Sequence, residues 1–556
     1  MNNWKKKGIV YEVYPQSFKD TNNDGIGDIN GVIEKLDYIK NLGVNIIWLT
    51  PIFKSPMVDN GYDIADYEAI NPVYGTMEDF DKLLKLCHEK GLKLVMDLVV
   101  NHNSDQSKWF QESKKSRDNK YSNYYIWEDP KADGSAPTNL GSTFGGSAWE
   151  YVPERDQYYL HLFAKEQPDL NWRCEAMRQD IYKTMRFWLN KGVDGFRMDS
   201  ISFISKPEKF EDAPLEDNKE YGSYYYGSSN GPKLHEYLHE MNREVMSKYD
   251  VITIGETPHT TAAQAEKYIA QERQELDMVF QFEHMHVDYG EYGRYSDVTF
   301  KLSDLRDSII RWQKDLSWNS NYLGNHDQPR LVSRFGNDKK YRKESAKMLA
   351  MITVLQKGTP FVFQGDEIGM TNVDFKKIDE FKDLEAHNTY EFLKNKGLSD
   401  EKALEMIKRK SRDNSRTPMQ WNDSKNGGFS EGNPWIKLND NYDSINVRES
   451  LDDKDSIYHF YQKLLQLRTN SDVATDGDFK IVSLSDSDVF AYTRKLNNKT
   501  MLVVGSFSDK KVKFEVPESL VSIGSSKVLS NYRDSIRELS NILYLRPYEG
   551  IVFMND

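Results

Sequence analysis

The chain has 556 residues, too many for one ordinary core and enough for one large domain with one or two smaller ones. With 38% hydrophobic and 29% charged residues it reads as globular, and its net charge of -13 argues against nucleic acid or an anionic membrane surface as the main partner. No run of about 18 apolar residues occurs, so no segment is expected to span a membrane.

From the amino terminus, M-N-N-W-K-K-K-G-I-V-Y carries basic residues without an apolar h-region or a small-residue cleavage site. Apolar runs then predict strands over 9–14, 45–50, 92–100, 193–199, 251–256, 278–283, 320–325 and 360–365. Amphipathic stretches separate them. In one, Phe80, Leu83, Leu84 and Cys87 recur at helical spacing, which makes Cys87 a buried, inert thiol. Eight strands alternating with helices predict an α/β fold, a (β/α)₈ TIM barrel. Cys174 is the only other cysteine; scarce cysteine and the missing leader place the chain in the cytoplasm.

Two regions break the alternation. Residues 103–172 are rich in Asn, Ser, Asp, Gly, Tyr and Trp and lack a helical period. A structureless loop of that length does not suit a compact domain, so it reads as a subdomain inserted after strand three and overhanging the barrel mouth. Over 476–556 the period shortens from 3.6 to 2, in V-F-A-Y-T-R, M-L-V-V-G-S-F and K-V-K-F-E-V, with L-N-N-K-T as a hairpin turn. This predicts a C-terminal antiparallel β-sandwich domain and leaves 1–102 and 173–475 for the barrel.

Barrel chemistry gathers at the carboxyl ends of the strands. Asp199 ends the fourth run, Glu256 the fifth, and Asp327 follows the seventh. A lone acid after a strand is often a helix cap or turn former. Here Arg197 lies two residues before Asp199 on the same side of its strand, where its guanidinium favours an ionised carboxylate. Glu256 leaves the apolar run I-T-I-G, where burial favours the protonated acid. Asp327 sits beside His326 in G-N-H-D-Q-P-R. A nucleophilic carboxylate and a protonated carboxyl are what cleavage of a glycosidic bond requires.

The stretches D-L-V-V-N-H (97–102), G-F-R-M-D (195–199), I-G-E (254–256) and N-H-D (325–327) stand in order at four strand ends. In these the sequence resembles the α-amylase superfamily, glycoside hydrolase family thirteen. G-Y-D-I-A-D-Y (61–67), Q-P-D-L-N-W (167–172), F-Q-F-E-H-M (280–285) and R-D-N-S-R-T-P-M-Q-W (412–421) resemble its oligo-1,6-glucosidase and α-glucosidase branch. The resemblance runs nearly the whole length, to L-R-P-Y-E near the end. It implies a retaining, exo-acting α-glucosidase on short oligosaccharides, with Asp199 as nucleophile, Glu256 as acid/base and Asp327 gripping sugar hydroxyls. It also implies a glucose pocket formed by Asp63, His102, Arg197, His326 and Arg416, with Tyr62, Phe144, Phe163 and Gln167 as further candidates. Ser200, after the presumed nucleophile, stands where α-1,6-specific members carry Val and α-1,4-specific ones Ala or Thr.

The loop D-T-N-N-D-G-I-G-D (20–28) begins like an EF-hand, with Asp20, Asn22 and Asp24 at alternate oxygen-ligand positions and a turn glycine at 25. Its twelfth position is Gly31, which departs from that motif. The branch has a compact metal loop of this form, in which Asp28 and the Ile26 carbonyl would complete a structural Ca²⁺ site, with Mg²⁺ the other candidate. No organic cofactor is implied, and a monomer is the expected state.

Other readings share the scaffold. Sucrose isomerases of the branch carry an R-L-D-R-D-like segment after strand six, where this chain has M-H-V-D-Y-G-E-Y-G-R. A trehalose-6-phosphate hydrolase shares all the motifs and would need a cationic phosphate pocket that no basic cluster marks. A transporter-associated, non-catalytic relative would need a membrane segment.

Overall fold

Each of the eight apolar runs becomes a strand: β1 Val10–Val13, β2 Ile46–Leu49, β3 Lys93–Val99, β4 Gly195–Asp199, β5 Ile252–Glu256, β6 Met278–Phe280, β7 Ser320–Asn321 and β8 Thr359–Phe363. The structure, a computed structural model, describes residues 2–215, 219–484 and 487–555. The strands pair in parallel in the order β6-β5-β4-β3-β2-β1-β8-β7, the sequence of neighbours around a barrel. Apart from Lys93, every residue of these strands is buried, because helices cover the outside and side chains fill the inside. That is why they read as continuous apolar runs and not as alternating ones. A Cβ at Gly195 would lie 2.0 Å from the Ile252 carbonyl oxygen, so β4 can lie against β5 only with glycine there.

The helix Met77–Glu89 carries Phe80, Leu83, Leu84 and Cys87 on its buried face, as its period requires. Cys87 and Cys174 are both unpaired. Within 103–172 an antiparallel sheet of Trp127–Glu128, Gln157–Leu160 and Trp149–Val152 forms, with a separate core that includes Trp149, Leu160, Leu162 and Phe203.

A third excursion follows β8. Helices Leu384–Asn395 and Asp400–Lys410 leave the barrel around a small core of Phe375, Phe381, Leu393, Ile407 and Ile436. This segment has the same helical period as a barrel helix, so periodicity alone could not set it apart. It supplies Glu385 and Arg412 to the mouth.

The carboxyl-terminal strands form a five-stranded antiparallel sheet facing the two-stranded pair Val512–Glu515 and Ile542–Leu545. The hairpin joins Val489–Leu496 to Lys499–Ser506 through Asn497, at a positive φ of 53°. Alternate residues serve two cores: Val489 and Ala491 face the second sheet, while Phe490 and Tyr492 pack on the barrel. The helix Arg342–Val354 lies between barrel and sandwich, and residues 345–354 are buried on all sides.

Candidate active site

Asp97 in β3 is the ladder partner of Arg197 in β4, so the two side chains meet inside the barrel. The β4–β5 register pairs Met198 with Gly255, and one step further it sets Asp199 beside Glu256. Arg197 joins all three acids: Nη1 lies 2.9 Å from Asp97 Oδ1 and 2.9 Å from Asp199 Oδ1, and Nη2 lies 3.0 Å from Glu256 Oε1. The guanidinium centre also sits 5.1 Å from the Trp48 ring.

Ser200 follows Asp199 with φ 44° and ψ 34°, a left-handed conformation uncommon for a residue with a side chain. The bend aims its N–H at Glu256 Oε2, 2.8 Å away, while its hydroxyl stands 3.4 Å from the same oxygen. Strained backbone at such a point is what positions a catalytic group elsewhere in proteins.

Burial dominates both carboxyls. It raises Asp199 to about 6, with Arg197 pulling the other way and Asp97 adding repulsion. It raises Glu256 to about 7, again opposed by Arg197 and reinforced by the charges of Asp199 and Asp327. Glu256 is therefore the member that keeps its proton longer. The guanidinium of Arg197 does favour an ionised Asp199, as expected, but desolvation outweighs it and the net shift is upward. Asp327 goes the opposite way. Burial would raise it, but His326, Arg412 and Arg416 together hold it well below the usual carboxylate range. Its contacts are His326 Nε2 at 3.2 Å, Arg416 Nη2 at 2.7 Å and Arg412 Nη1 at 3.3 Å.

The three carboxylates open into one cavity of ≈ 350 Å³ at the carboxyl ends of the strands. Of the other residues the sequence singled out, Tyr62, His102, Phe144, Phe163 and Ser200 also line it. Asp63, Gln167, Arg197, His326 and Arg416 do not; each is at most 1% exposed and stands behind the wall. Asp63 accepts from Ser55 Oγ and from the N–H groups of Val58 and Asp59, and so folds the loop that presents Asp59. Gln167 donates to Asp59 Oδ2 at 3.1 Å and contacts His102 Nε2 at 3.2 Å.

Asp59 and Arg412 line the cavity, where sequence reasoning pointed to Asp63 and Arg416. Both stand four residues away from the residue it chose, inside or next to a motif it had marked. The outer wall was missed as well: Phe203, Tyr224, His259, Phe282, His286 and Tyr289 form an aromatic collar. Its traces in the sequence were the Y-Y-Y run at 224–226, the H-M-H at 284–286 and Phe282 inside the marked F-Q-F-E-H-M. A wider hollow of ≈ 690 Å³ lies at the other end of the barrel, where Lys5 pairs with Asp277 and none of the three carboxylates reaches.

In the loop 20–28, Asp20 Oδ1 accepts from the N–H groups of Asn22 and Asn23, and Oδ2 from that of Gly25. Asp24 accepts from Ile26 N–H and from the Asn22 amide. Asp28 caps the helix Ile29–Glu34 through Gly31 N–H and binds Thr21. Among the described residues no group of three or more His, Cys, Asp or Glu side chains converges as a ready metal cage. The donors are all oxygens, as a hard cation prefers, and each carboxylate oxygen can accept more than one bond.

Two families match the chain: the α-amylase catalytic domain over residues 12–477 and the C-terminal domain of the α-amylase SusG over 489–552. It is 50% identical to an oligo-1,6-glucosidase of Bacillus cereus over 554 residues, 99% of each chain. The structure of trehalose-6-phosphate hydrolase from Bacillus licheniformis is 46% identical, with a TM-score of 0.94 and both chains covered in full. That of isomaltulose synthase from Protaminobacter rubrum is 41% identical with a TM-score of 0.95, also over the full length of both.

Proposed function

We propose that this chain, which belongs to the α-amylase family, is a retaining, exo-acting α-glucosidase that releases terminal glucose from short α-glucosides, chiefly the α-1,6 bonds of isomaltose, panose and related oligosaccharides. The observation that carries the mechanism is the sharing of one guanidinium by Asp199 and Glu256, two buried carboxyls of which burial favours one staying protonated. The two carboxyls stand side by side on the two terminal nitrogens of that guanidinium, at 2.9 and 3.0 Å. An inverting pair needs about 6.5–9.5 Å between its carboxyls for a water, whereas a retaining pair stands about 5–5.5 Å apart.

Asp199 attacks the anomeric carbon while Glu256 gives its proton to the leaving oxygen, forming a glycosyl ester. Glu256, now ionised, then takes a proton from the incoming water, and the ester breaks. Asp327, fixed as an anion by His326 and two arginines, supports the positive charge that develops on the sugar ring. Asp59 and Arg412, 3.5 Å apart, close the inner end beside Phe144, which suits a terminal sugar unit and not the middle of a chain.

A trehalose 6-phosphate substrate is the second reading, favoured by the structural likeness. Against it, both arginines of the cavity wall are committed to carboxylates: Arg294 to Glu385 and Arg412 to Asp383, Asp59 and Asp327. The wall histidines add no charge near neutral pH, since burial lowers His102, His259 to about 4 and His286 to about 3. A structural Ca²⁺ held by Asp20, Asn22, Asp24, the Ile26 carbonyl and Asp28 belongs to the proposal, with Mg²⁺ as the other candidate; it takes no part in the chemistry. So do a cytoplasmic place and a monomeric state; two unpaired cysteines support the first, and no described helix is long and apolar enough to cross a membrane.

The test is glucose release from isomaltose, panose, maltose, sucrose, trehalose and trehalose 6-phosphate, with proton NMR of the first product. Isomaltose and panose are expected to lead, and α-glucose to appear before mutarotation. Initial β-glucose overturns the roles given to Asp199 and Glu256; a lead for trehalose 6-phosphate overturns the substrate.

A further inference from the structure

Behind the third carboxylate lies a second, fully buried acid that the chemistry above does not use. Glu12, in β1, is 1% exposed. Its Oε1 accepts from His326 Nδ1–H at 2.5 Å and faces the His326 backbone N–H at 3.3 Å. On the other edge of the ring, Nε2 lies 2.8 Å from the Tyr62 hydroxyl and 3.2 Å from Asp327 Oδ2. The Tyr62 hydroxyl donates to Asp97 Oδ2 at 3.0 Å, so its oxygen is left to accept from Nε2–H. With acceptors on both edges, the ring needs a proton on each nitrogen.

We propose that Glu12 is a positioning residue for the sugar-binding carboxylate: acting through His326, it fixes Asp327 and Tyr62 at the wall of the cavity. The inference rests on the glucosidase reading of that cavity.

Glu12 acts on the imidazole in two ways. The first is orientation. Tyr14 and Tyr62 stack on the imidazole at 6.2 Å and 5.4 Å, and Trp48 meets it edge-on at 5.8 Å, so the ring can turn neither out of its plane nor toward solvent. Within that slot, the bond from Glu12 selects the orientation that points Nε2 at Asp327. The second is charge. The charged groups facing the ring are Glu12 from β1, Asp327 from its own segment, Asp97 beyond the Tyr62 hydroxyl, and Arg416, whose Nε donates to the His326 carbonyl at 3.1 Å. Burial alone would lower the imidazole, but Asp327 and Glu12 raise it to about 10. With only Asp327 beside it, the imidazolium would cancel that carboxylate's charge. Shared between two carboxylates, it cancels less of the charge on Asp327, which Arg412 and Arg416 also contact, and so leaves that carboxylate better able to face the ring of the sugar as that ring becomes cationic.

The experiment uses the full chain with ¹⁵N-labelled histidine. The His326 signals are identified by their loss in His326→Gln, and the parent, Glu12→Gln and Glu12→Asp are each titrated and assayed on nitrophenyl α-glucoside. In the parent both ring nitrogens are expected to stay protonated through pH 8. Glu12→Gln should lower that midpoint by at least about one pH unit and reduce kcat/KM on the order of tenfold or more, with a new fall in activity across the lowered midpoint. Glu12→Asp keeps the carboxylate and should recover a protonated ring and part of the rate. An unchanged imidazole titration in Glu12→Gln, or equal losses in the Asp and Gln variants, overturns the proposal. If Glu12→Gln does not fold, the parent decides: a ring that deprotonates near the ordinary histidine value also overturns it. The titration does not depend on turnover, so a failure of the glucosidase reading shows separately, as a parent without activity on glucosides.

Discussion

Arg197 Nη2 lies 3.0 Å from Glu256 Oε1, on the guanidinium whose other nitrogen holds Asp199. Two buried acids lean on one cation, and both are raised, to about 6 and about 7. Turnover needs one proton on the pair, carried by Glu256. kcat/KM on isomaltose should therefore rise as the pair loses its first proton and fall as it loses the second, giving a narrow optimum between about pH 6 and 7. A profile that stays flat to pH 9 on isomaltose would remove Glu256 as the acid.

The same assignment separates two substrates. Glu256→Gln cannot protonate a leaving group, so it should lose most of its rate on isomaltose. It should keep more on a nitrophenyl glucoside, whose leaving group needs no proton. Asp199→Asn should lose nearly all turnover on both while remaining folded. Equal losses on both substrates in Glu256→Gln would count against its role.

Stability offers an independent reading. The folded pKa of Glu256 is raised from 4.5 to about 7, so the folded state holds the proton more tightly than the unfolded chain. That contribution is complete below about pH 4.5 and is lost as pH rises through about 7, at roughly 1.4 kcal/mol for each pH unit between the two values. The neutral Glu256→Gln should therefore gain melting temperature relative to the parent at pH 8 and show no such gain at pH 4.5. A difference that does not change between the two pH values would contradict the raised pKa.

The eight strands and the mouth-ward carboxylates were legible because both obey local rules: β-rich apolar runs, and acids at their carboxyl ends. The hairpin at Asn497 was legible for the same reason. What escaped depends on side-chain direction across loops. Asp59 and Asp63 share one bend of chain, and only the turn that gives Asp63 three internal donors decides which carboxyl reaches the cavity. Arg412 and Arg416 both bond Asp327, from two ends of the short helix Asp413–Arg416, and period alone cannot say which is exposed. The collar of Tyr224, His259 and His286 is assembled from three separate loops, so no spacing could announce it.

If Asp59 and Arg412 close the inner end of the cavity, Asp59→Asn should weaken the grip on the terminal sugar and lower kcat/KM by about tenfold or more, because the buried Arg412 keeps Asp383 and Asp327 but loses the carboxylate that faces the sugar with it. Asp63→Asn should act mainly on stability, through the loop. Equal kinetic effects with equal melting temperatures would return Asp63 to the pocket.

Calcium at Asp20, Asn22, Asp24, Ile26 and Asp28 would stabilise by mass action alone. Chelation should lower the melting temperature and added Ca²⁺ restore it, while initial rates on nitrophenyl glucoside at 25 °C stay within about twofold. A stripped enzyme that is folded yet inactive, and recovers with metal, would make the ion catalytic. No change in melting temperature would leave the loop closed by its own hydrogen bonds.

Ser200 lines the cavity and its N–H holds Glu256, so under the proposed function its side chain would set how crowded the wall beside the leaving sugar is. Serine is smaller than valine and polar, which should admit α-1,4 or sucrose-type bonds alongside α-1,6. One or two methyl groups in a pocket change discrimination by about 1–3 kcal/mol, roughly 10–200-fold. Ser200→Val should raise the ratio of kcat/KM for isomaltose over maltose within that range, mostly by losing maltose. A second effect runs alongside it. Residue 200 has φ 44°, a region a β-branched side chain enters only under strain. The variant should therefore lose turnover on both substrates, by about 1–3 kcal/mol of stored strain where the N–H on Glu256 is displaced. Taking the ratio cancels this common loss and isolates the wall. Ser200→Ala, which adds no bulk, should keep the parent ratio to within about twofold. A Ser200→Val ratio equally close to the parent's would show that this side chain does not meet the leaving sugar, and the linkage argument would fall while the roles of Asp199 and Glu256 stood.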